Sequence, residues 1–280
     1  MAKLLVEFWI WWGGKLKLPG GGMLIRVFAK ILPRLRAFPF DVRNVGTAYL
    51  DFCDKAAFGM VKIFRLNEYD NDRALFKFLE TVLRPGAVLW DVGANVGFVS
   101  GYFAHPRFQL KSIQAFEPNP RMNAALRKFF EDCNTVTVHG CGLGSMDGAI
   151  EMNISASDSL VGSMTRSLAD GQKISVAVRR GDSLMSLEQL PAPDVLKIDV
   201  EGFEPEVFSG FRETILRKLP IVVFEHIWLS DEQICGLVPT GYKLLFLQDD
   251  GSIEGDIAQR RRGHDAILMP AGVTVPRLTL

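Results

Sequence analysis

A chain of 280 residues, 48% of them hydrophobic, can bury a full core, which fits one large domain with or without an extension. Its 32 basic and 32 acidic residues cancel, which excludes the strongly basic balance of a dedicated nucleic-acid binder. Four cysteines without C-x-x-C spacing and four histidines without a ligand cluster argue against a metal site and for free thiols in a reducing compartment.

The charge is unevenly placed. Residues 1–40 carry Lys3, Lys15, Lys17, Arg26, Lys30, Arg34 and Arg36 against Glu7 alone, a net of +6 (seven minus one). An apolar run at residues 4–12 holds Trp9, Trp11 and Trp12. It is too short to span a bilayer, it contains Glu7, and no A-x-A-like cleavage site follows it. After the breaks at Gly13-Gly14 and Pro19–Gly22, residues Met23–Leu32 present a broad apolar helical face with Arg26 and Lys30 opposite. Tryptophans beside a basic amphipathic helix suit a membrane interface. The plainer alternative is a helix packed on the main domain or on a partner. Residues 1–40 are therefore expected to be an extension, and 41–280 the main domain, cytoplasmic, with a peripheral contact at the inner membrane face in the first reading.

Residues Val61–Leu66 alternate like a strand. Asp70 or Asn71 is expected to cap a helix running to about Leu83, which Arg84-Pro85-Gly86 ends.

The next stretch organises the rest. Val88–Val92 is an apolar strand interrupted by Asp91; Gly93, Ala94, Asn95 and Gly97 follow, and a helical pattern runs from Phe98 to Ala104. Glycines there let the backbone approach a ligand closely, and the helix N-terminus faces it. Glu117 closes the next apolar run, Ile113–Phe116, 20 positions past Gly97 (117 − 97). A carboxylate at the end of a second parallel strand is where a ribose diol is gripped. The spacing Gly93-x-Asn95-x-Gly97 is not the dinucleotide G-x-G-x-x-G, and Asp91 would repel a pyrophosphate. S-adenosylmethionine has no phosphate and carries a sulfonium and an ammonium, so the motif favours it as cofactor over NAD.

Pro118-Asn119-Pro120 turns into a helix from about Arg121 to Glu131, and a third strand covers Val136–Gly140, where His139 reads as an ordinary strand residue. The turn after it, Cys141–Gly144, is expected beside the adenine, with Gly142 a candidate cofactor residue. Two alternating strands, Ala149–Ile154 and Ile174–Val178, look inserted, and the polar stretch Ser155–Gln172 between them reads as a substrate loop in which Gly162-Ser163 could offer a hydroxyl. The fourth core strand, Asp194–Gly202, places Lys197, Asp199 and Glu201 two apart, on one face near its end. Two carboxylates and an ammonium are costly to bury without mutual pairing or a task. A helix is expected over 203–218, a fifth strand over Ile221–His226, a short helix over Asp231–Leu237, and closing strands at Tyr242–Leu247 and Ala266–Met269.

Asp91–Gly97, Ala115–Pro120 and Leu196–Gly202 followed by Phe203-Glu204, together with Gly142–Gly144 and Phe224-Glu225, resemble the FkbM family of S-adenosylmethionine-dependent methyltransferases. The resemblance covers about residues 70–270, and the Lys197–Gly202 run is its most specific part. It implies an α/β class I methyltransferase (Rossmann-like) fold: seven strands, mostly parallel, the last antiparallel, with helices on both faces. It implies O-methylation of a hydroxyl on a sugar, glycan or secondary metabolite. Cofactor contacts are then expected from Asp91, Gly93, Ala94, Asn95, Gly97, Glu117 and Gly142. Asp199, Glu201 and His226 are the candidate bases, read from the residues themselves. The rival readings are a methyltransferase of RNA or protein, or a cofactor-binding module tethered at a membrane without turnover.

Overall fold

The computed structural model describes residues 2–15, 21–66, 72–155, 162–165, 171–262, 264–274 and 278. It opens with α1 (Ala2–Trp9), a π-helical turn (Ile10–Lys15), α2 (Gly21–Ile31), a hairpin of β1 (Phe38–Val42) and β2 (Gly46–Leu50), α3 (Lys55–Val61) and α4 (Arg73–Val82). The alternating core follows with β3 (Val88–Val92), α5 (Phe98–Phe103), β4 (Ser112–Phe116), α6 (Pro120–Phe129) and β5 (Val136–His139). An arm comprises β6 (Gly142–Leu143), β7 (Gly148–Ser155), β8 (Gly162–Ser163) and β9 (Gly171–Arg179). The chain closes with α7 (Gly181–Leu187), β10 (Val195–Ile198), α8 (Glu204–Gly210), α9 (Arg212–Lys218), β11 (Ile221–Glu225), α10 (Asp231–Gly236), β12 (Tyr242–Leu247), β13 (Ile253–Glu254) and β14 (Asp265–Pro270).

The main sheet runs β13-β12-β14-β11-β10-β3-β4-β5. Strands β5, β4, β3, β10 and β11 are parallel, and β14 inserts antiparallel between β11 and β12. This is the expected doubly wound sheet with its last strand reversed. The eighth strand, beyond the expected seven, is the pair Ile253-Glu254 on the edge beside Phe246 and Leu247, too short to leave an alternating pattern. The inserted strands β7 and β9 pair antiparallel in a separate sheet with β6 and β8.

Alternation along the strands feeds two cores. Val88, Trp90 and Val92 join Leu196, Ile198 and Phe224 on one side, while Leu89 joins Ile113, Val195 and Val223 on the other. The second core also takes Val6, Trp9, Ile10, Ile25, Ala29 and Leu35, so the N-terminal helices lie on that face of the domain.

Two expectations fail locally. Val61–Leu66 is helical and not a strand: Asp54 caps α3 by accepting from the Ala56 N–H at 3.0 Å, and Ala57, Met60, Val61 and Phe64 share one helical face. The expected helix 203–218 is two helices meeting at the fully buried Phe211. Asp182 makes the second start possible, because its carboxylate accepts from the N–H groups of Glu213 and Thr214, both at 3.0 Å. The expected caps Asp70 and Asn71 lie outside the described residues, as do 156–161 and 166–170 of the polar stretch and the side chain of Ser163.

Candidate functional site

A cavity opens at the carboxyl ends of β3, β4 and β10, where open parallel sheets bind ligands. The turn after β3 forms its floor. The N–H groups of Gly93 and Ala94 both donate to the Phe116 carbonyl, at 3.1 and 3.0 Å, so the turn is tied to the end of β4. Gly93 has φ +78, and a Cβ there would collide with the Asp199 carbonyl. Gly97 has φ +88 and caps α5, with Leu126 and Phe130 too close for a side chain.

Asp91 is wholly buried. One carboxylate oxygen accepts from the Ser100 N–H (3.1 Å) and hydroxyl (2.6 Å), which anchors the first turn of α5. The other lies 3.4 Å from the Lys197 ammonium. Lys197 sits the same distance from Asp199 and donates to the Gly93 carbonyl at 3.3 Å. Burial alone would lower the lysine's pKa; the carboxylates of Asp199 and Asp91 outweigh it and raise it, so the ammonium stays charged.

Glu117 lies one residue past β4 and is buried. Its two oxygens accept from the N–H groups of Asn95 (2.9 Å) and Asn119 (2.8 Å). Burial pushes its carboxyl up to about 7, against the pull of those two N–H groups and of Lys197. An ionised carboxylate has about four acceptor positions, so two stay open for a diol at the cavity.

The strand β10 ends at Ile198, and the two-residue alternation ends with it. Glu201 reaches the cavity from a turn, with φ +55 at Glu201 and +99 at Gly202. Glu204, buried beneath, holds that turn by accepting from the N–H groups of Val200 (3.1 Å) and Gly202 (3.4 Å). Burial raises its carboxyl to about 7. Sequence reasoning gave Glu204 no role; an acid in the first turn of a helix after a glycine was the available signal.

Residues 91–253 match the family model described as the methyltransferase FkbM domain. The chain belongs to the FkbM methyltransferase family. Among similar proteins are the hexuronic acid methyltransferase AglP of Haloferax volcanii, 25% identical over 63% of this chain and 72% of that one. The 2-O-methyltransferase NoeI of Sinorhizobium fredii is 28% identical over 63% of this chain and 80% of its own. A solved FkbM methyltransferase from Methylobacillus flagellatus superposes with a TM-score of 0.44 at 18% identity, over 72% of this chain and 52% of that one.

The cofactor of this FkbM methyltransferase is S-adenosylmethionine, and the donor set fits it. Among the described residues, the cavity is bordered by the carboxylates of Asp72, Asp91, Glu117, Asp199 and Glu201 and by the ammonium of Lys197. That balance repels a pyrophosphate and suits a sulfonium and an ammonium. Asp91, Gly93, Ala94, Asn95, Glu117, Asp199 and Glu201 all line the cavity. Gly97 and Gly142 do not; Gly142 supports the wall, where a Cβ would stand 2.7 Å from the Met164 methyl group.

His226 also stays away from the cavity. It is buried edge-on to Phe246, and Arg260 donates to the carbonyls of His226 and Leu229 across it. Burial, then Arg260, push its imidazole down to about 4. A base must reach the reacting oxygen, and His226 is not among the residues that line the cavity. His139 is a strand residue, stacked on Phe116 and bonded to Gln114 at 2.9 Å.

The sequence left several wall residues unnamed. Leu75 and Phe76 come from α4, Met122 from α6, and Met152 and Met164 from the arm. The Thr165 hydroxyl donates to the Glu201 carbonyl at 3.3 Å, so the arm touches the turn that carries the acids. Among the described residues no group of three or more His, Cys, Asp or Glu could hold a metal ion.

Proposed function

We propose that the chain methylates a hydroxyl of a sugar, glycan or secondary metabolite, with Asp199 or Glu201 accepting the proton. One observation carries this reading: the Asp199 side chain, 44% exposed at the cavity, is paired at 3.4 Å with an ammonium that stays charged. The bound cofactor supplies an electrophilic methyl group. The protein's part is to hold the acceptor oxygen in line and to take its proton. Orientation supplies most of such an effect, and a base near a weakly acidic hydroxyl adds to it. Glu117 would grip the ribose diol, while Asp91 and Ser100 keep the turn and helix in place beneath it. The methionine-lined wall from the arm supplies apolar surface for an acceptor. The relatives support the acceptor class: their names specify a hexuronic acid, a 2-O position and, for the Streptomyces tacrolimicus protein, 31-O-demethyl-FK506.

The test is transfer from methyl-labelled cofactor to a panel of uronates, oligosaccharides and macrolide alcohols, with the product bond assigned by mass spectrometry. Label in an O-methyl ether supports the proposal. Label only in RNA or protein, or none anywhere, rejects it. We also read the chain as a cytoplasmic protein that touches the inner membrane face, supported by the outer face of the two N-terminal helices.

A further inference from the structure

The two N-terminal helices are apolar on both sides. Their inner stripes enter the core: Val6, Trp9 and Ile10 from α1 and the turn after it, and Ile25 and Ala29 from α2. Trp9 meets Phe58 edge-on at 5.1 Å and Phe52 at 6.1 Å. That contact fixes which faces point outward. The outward stripes are Leu4 and Phe8 on the first with Trp11 on the turn after it, and Met23, Val27 and Ile31 on the second, with Leu4, Met23 and Ile31 each more than 70% exposed. Their spacings, 4-8-11 and 23-27-31, are those of one helical face. A surface helix of a globular domain carries polar residues there, and an apolar patch of this size marks a contact with something else.

Charge decides the occupant. Residues 1–40 carry +6, and Lys3, Lys30 and Arg34 are exposed on and beside the two helices. The lone acid, Glu7, is paired with Arg65 at 3.4 Å. A second copy docking on the same face would bring two such segments together and repel. A bilayer with anionic headgroups offers apolar depth and the opposite charge at once. Tryptophan beside basic residues suits the headgroup level. Among the described residues no helix is long and apolar enough to cross a membrane, so an in-plane contact is the geometry available.

We propose that α1 and α2 form an interfacial docking face for anionic phospholipid, with Phe8, Trp11, Val27 and Ile31 entering the acyl boundary and Lys3, Lys30 and Arg34 meeting the headgroups. This deepens the membrane reading above and rests on it alone, not on the acceptor.

The test is sedimentation of the full chain with vesicles of phosphatidylcholine plus phosphatidylglycerol, and with phosphatidylcholine alone. The expected result is co-sedimentation with the anionic vesicles, reduced by high salt, with a blue shift of tryptophan emission. The charge variant Lys3→Gln/Lys30→Gln/Arg34→Gln should weaken binding about fivefold per charge, on the order of a hundredfold together. The apolar variant Phe8→Gln/Ile31→Gln should weaken it roughly tenfold or more per side chain. Both should keep cofactor affinity and methyl transfer to a soluble acceptor. Intact protein that stays in the supernatant, or binding unaffected by the charge variant, overturns the proposal. So does a lipid-free dimer that the apolar variant dissociates. If methyl transfer fails while vesicle binding behaves as described, the acceptor reading falls and this one stands.

Discussion

Replacing Glu117 with Gln separates what this carboxylate does for the cofactor from what its burial does to the fold. The side chain keeps its shape, but one acceptor oxygen becomes an NH2 facing the N–H of Asn95 or Asn119. An unsatisfied buried donor costs about 1–3 kcal/mol. Against this, the native carboxyl is raised by burial from 4.5 to about 7. A folded pKa above the unfolded one means that ionisation opposes folding. The cost is absent below the unfolded value, grows between about 4.5 and 7, and is fully present above 7. A gap of that size corresponds to ~3 kcal/mol. The two terms nearly cancel at pH 8, so the variant should unfold there at about the same denaturant concentration as the native chain. At pH 5 it should be weaker by up to about 2 kcal/mol, because most of the ionisation cost is gone while the donor penalty remains. Cofactor affinity should fall roughly tenfold to a hundredfold at pH 8, through loss of a charged acceptor for the ribose, and by less at pH 5, where the native carboxyl is itself protonated. Denaturant titrations at the two pH values and calorimetry with the cofactor measure all three quantities. Unchanged cofactor affinity would refute the role of Glu117; a stability gap independent of pH would refute its buried-acid energetics.

The remaining variants probe the floor and the acids. At least one of Asp199→Asn and Glu201→Gln should lower turnover by ~100-fold while melting temperature changes little; full activity in both removes the base from the mechanism. Lys197→Met leaves the buried Asp91 without its ammonium and should destabilise the chain by about 3–5 kcal/mol in denaturant unfolding. Gly93→Ala meets both a positive φ and the Asp199 carbonyl. It should destabilise by ~1–3 kcal/mol and abolish cofactor binding, read by thermal melts with and without cofactor.

The floor of the cavity was legible because its determinants are local. A buried strand, glycines at positive φ and a carboxylate closing the next strand all lie within residues 88–117. The acids after β10 were legible as a group but not in their geometry, since the alternation that placed them on one face stops at Ile198. Distant partners hid the rest. The break at Phe211 depends on Asp182, 31 residues before the Glu213 whose N–H it accepts. Val61–Leu66 fits a strand over six residues and a helix once Ala57 and Met60 are counted. His226 follows β11 as Glu117 follows β4, but Arg260, 34 residues on, covers it. Met152 and Met164 reach the cavity only because the arm folds back over it.

The bare approach of Gly93 to the Asp199 carbonyl has a thermodynamic consequence. No side chain separates the Gly93 turn, proposed to receive the cofactor, from the Asp199 loop, proposed to face the acceptor, and Lys197 bonds to both. A shift of one backbone therefore displaces the other. Binding at the two places is then linked, and linkage is reciprocal: whatever factor the cofactor contributes to acceptor affinity, the acceptor returns to the cofactor. A variant that loosens the cofactor turn should raise the acceptor's Kd even though it touches no acceptor atom. Once the sulfonium charge is gone, the Gly93 turn and the Asp199 loop would loosen together, and cofactor release and product exit would share one joint.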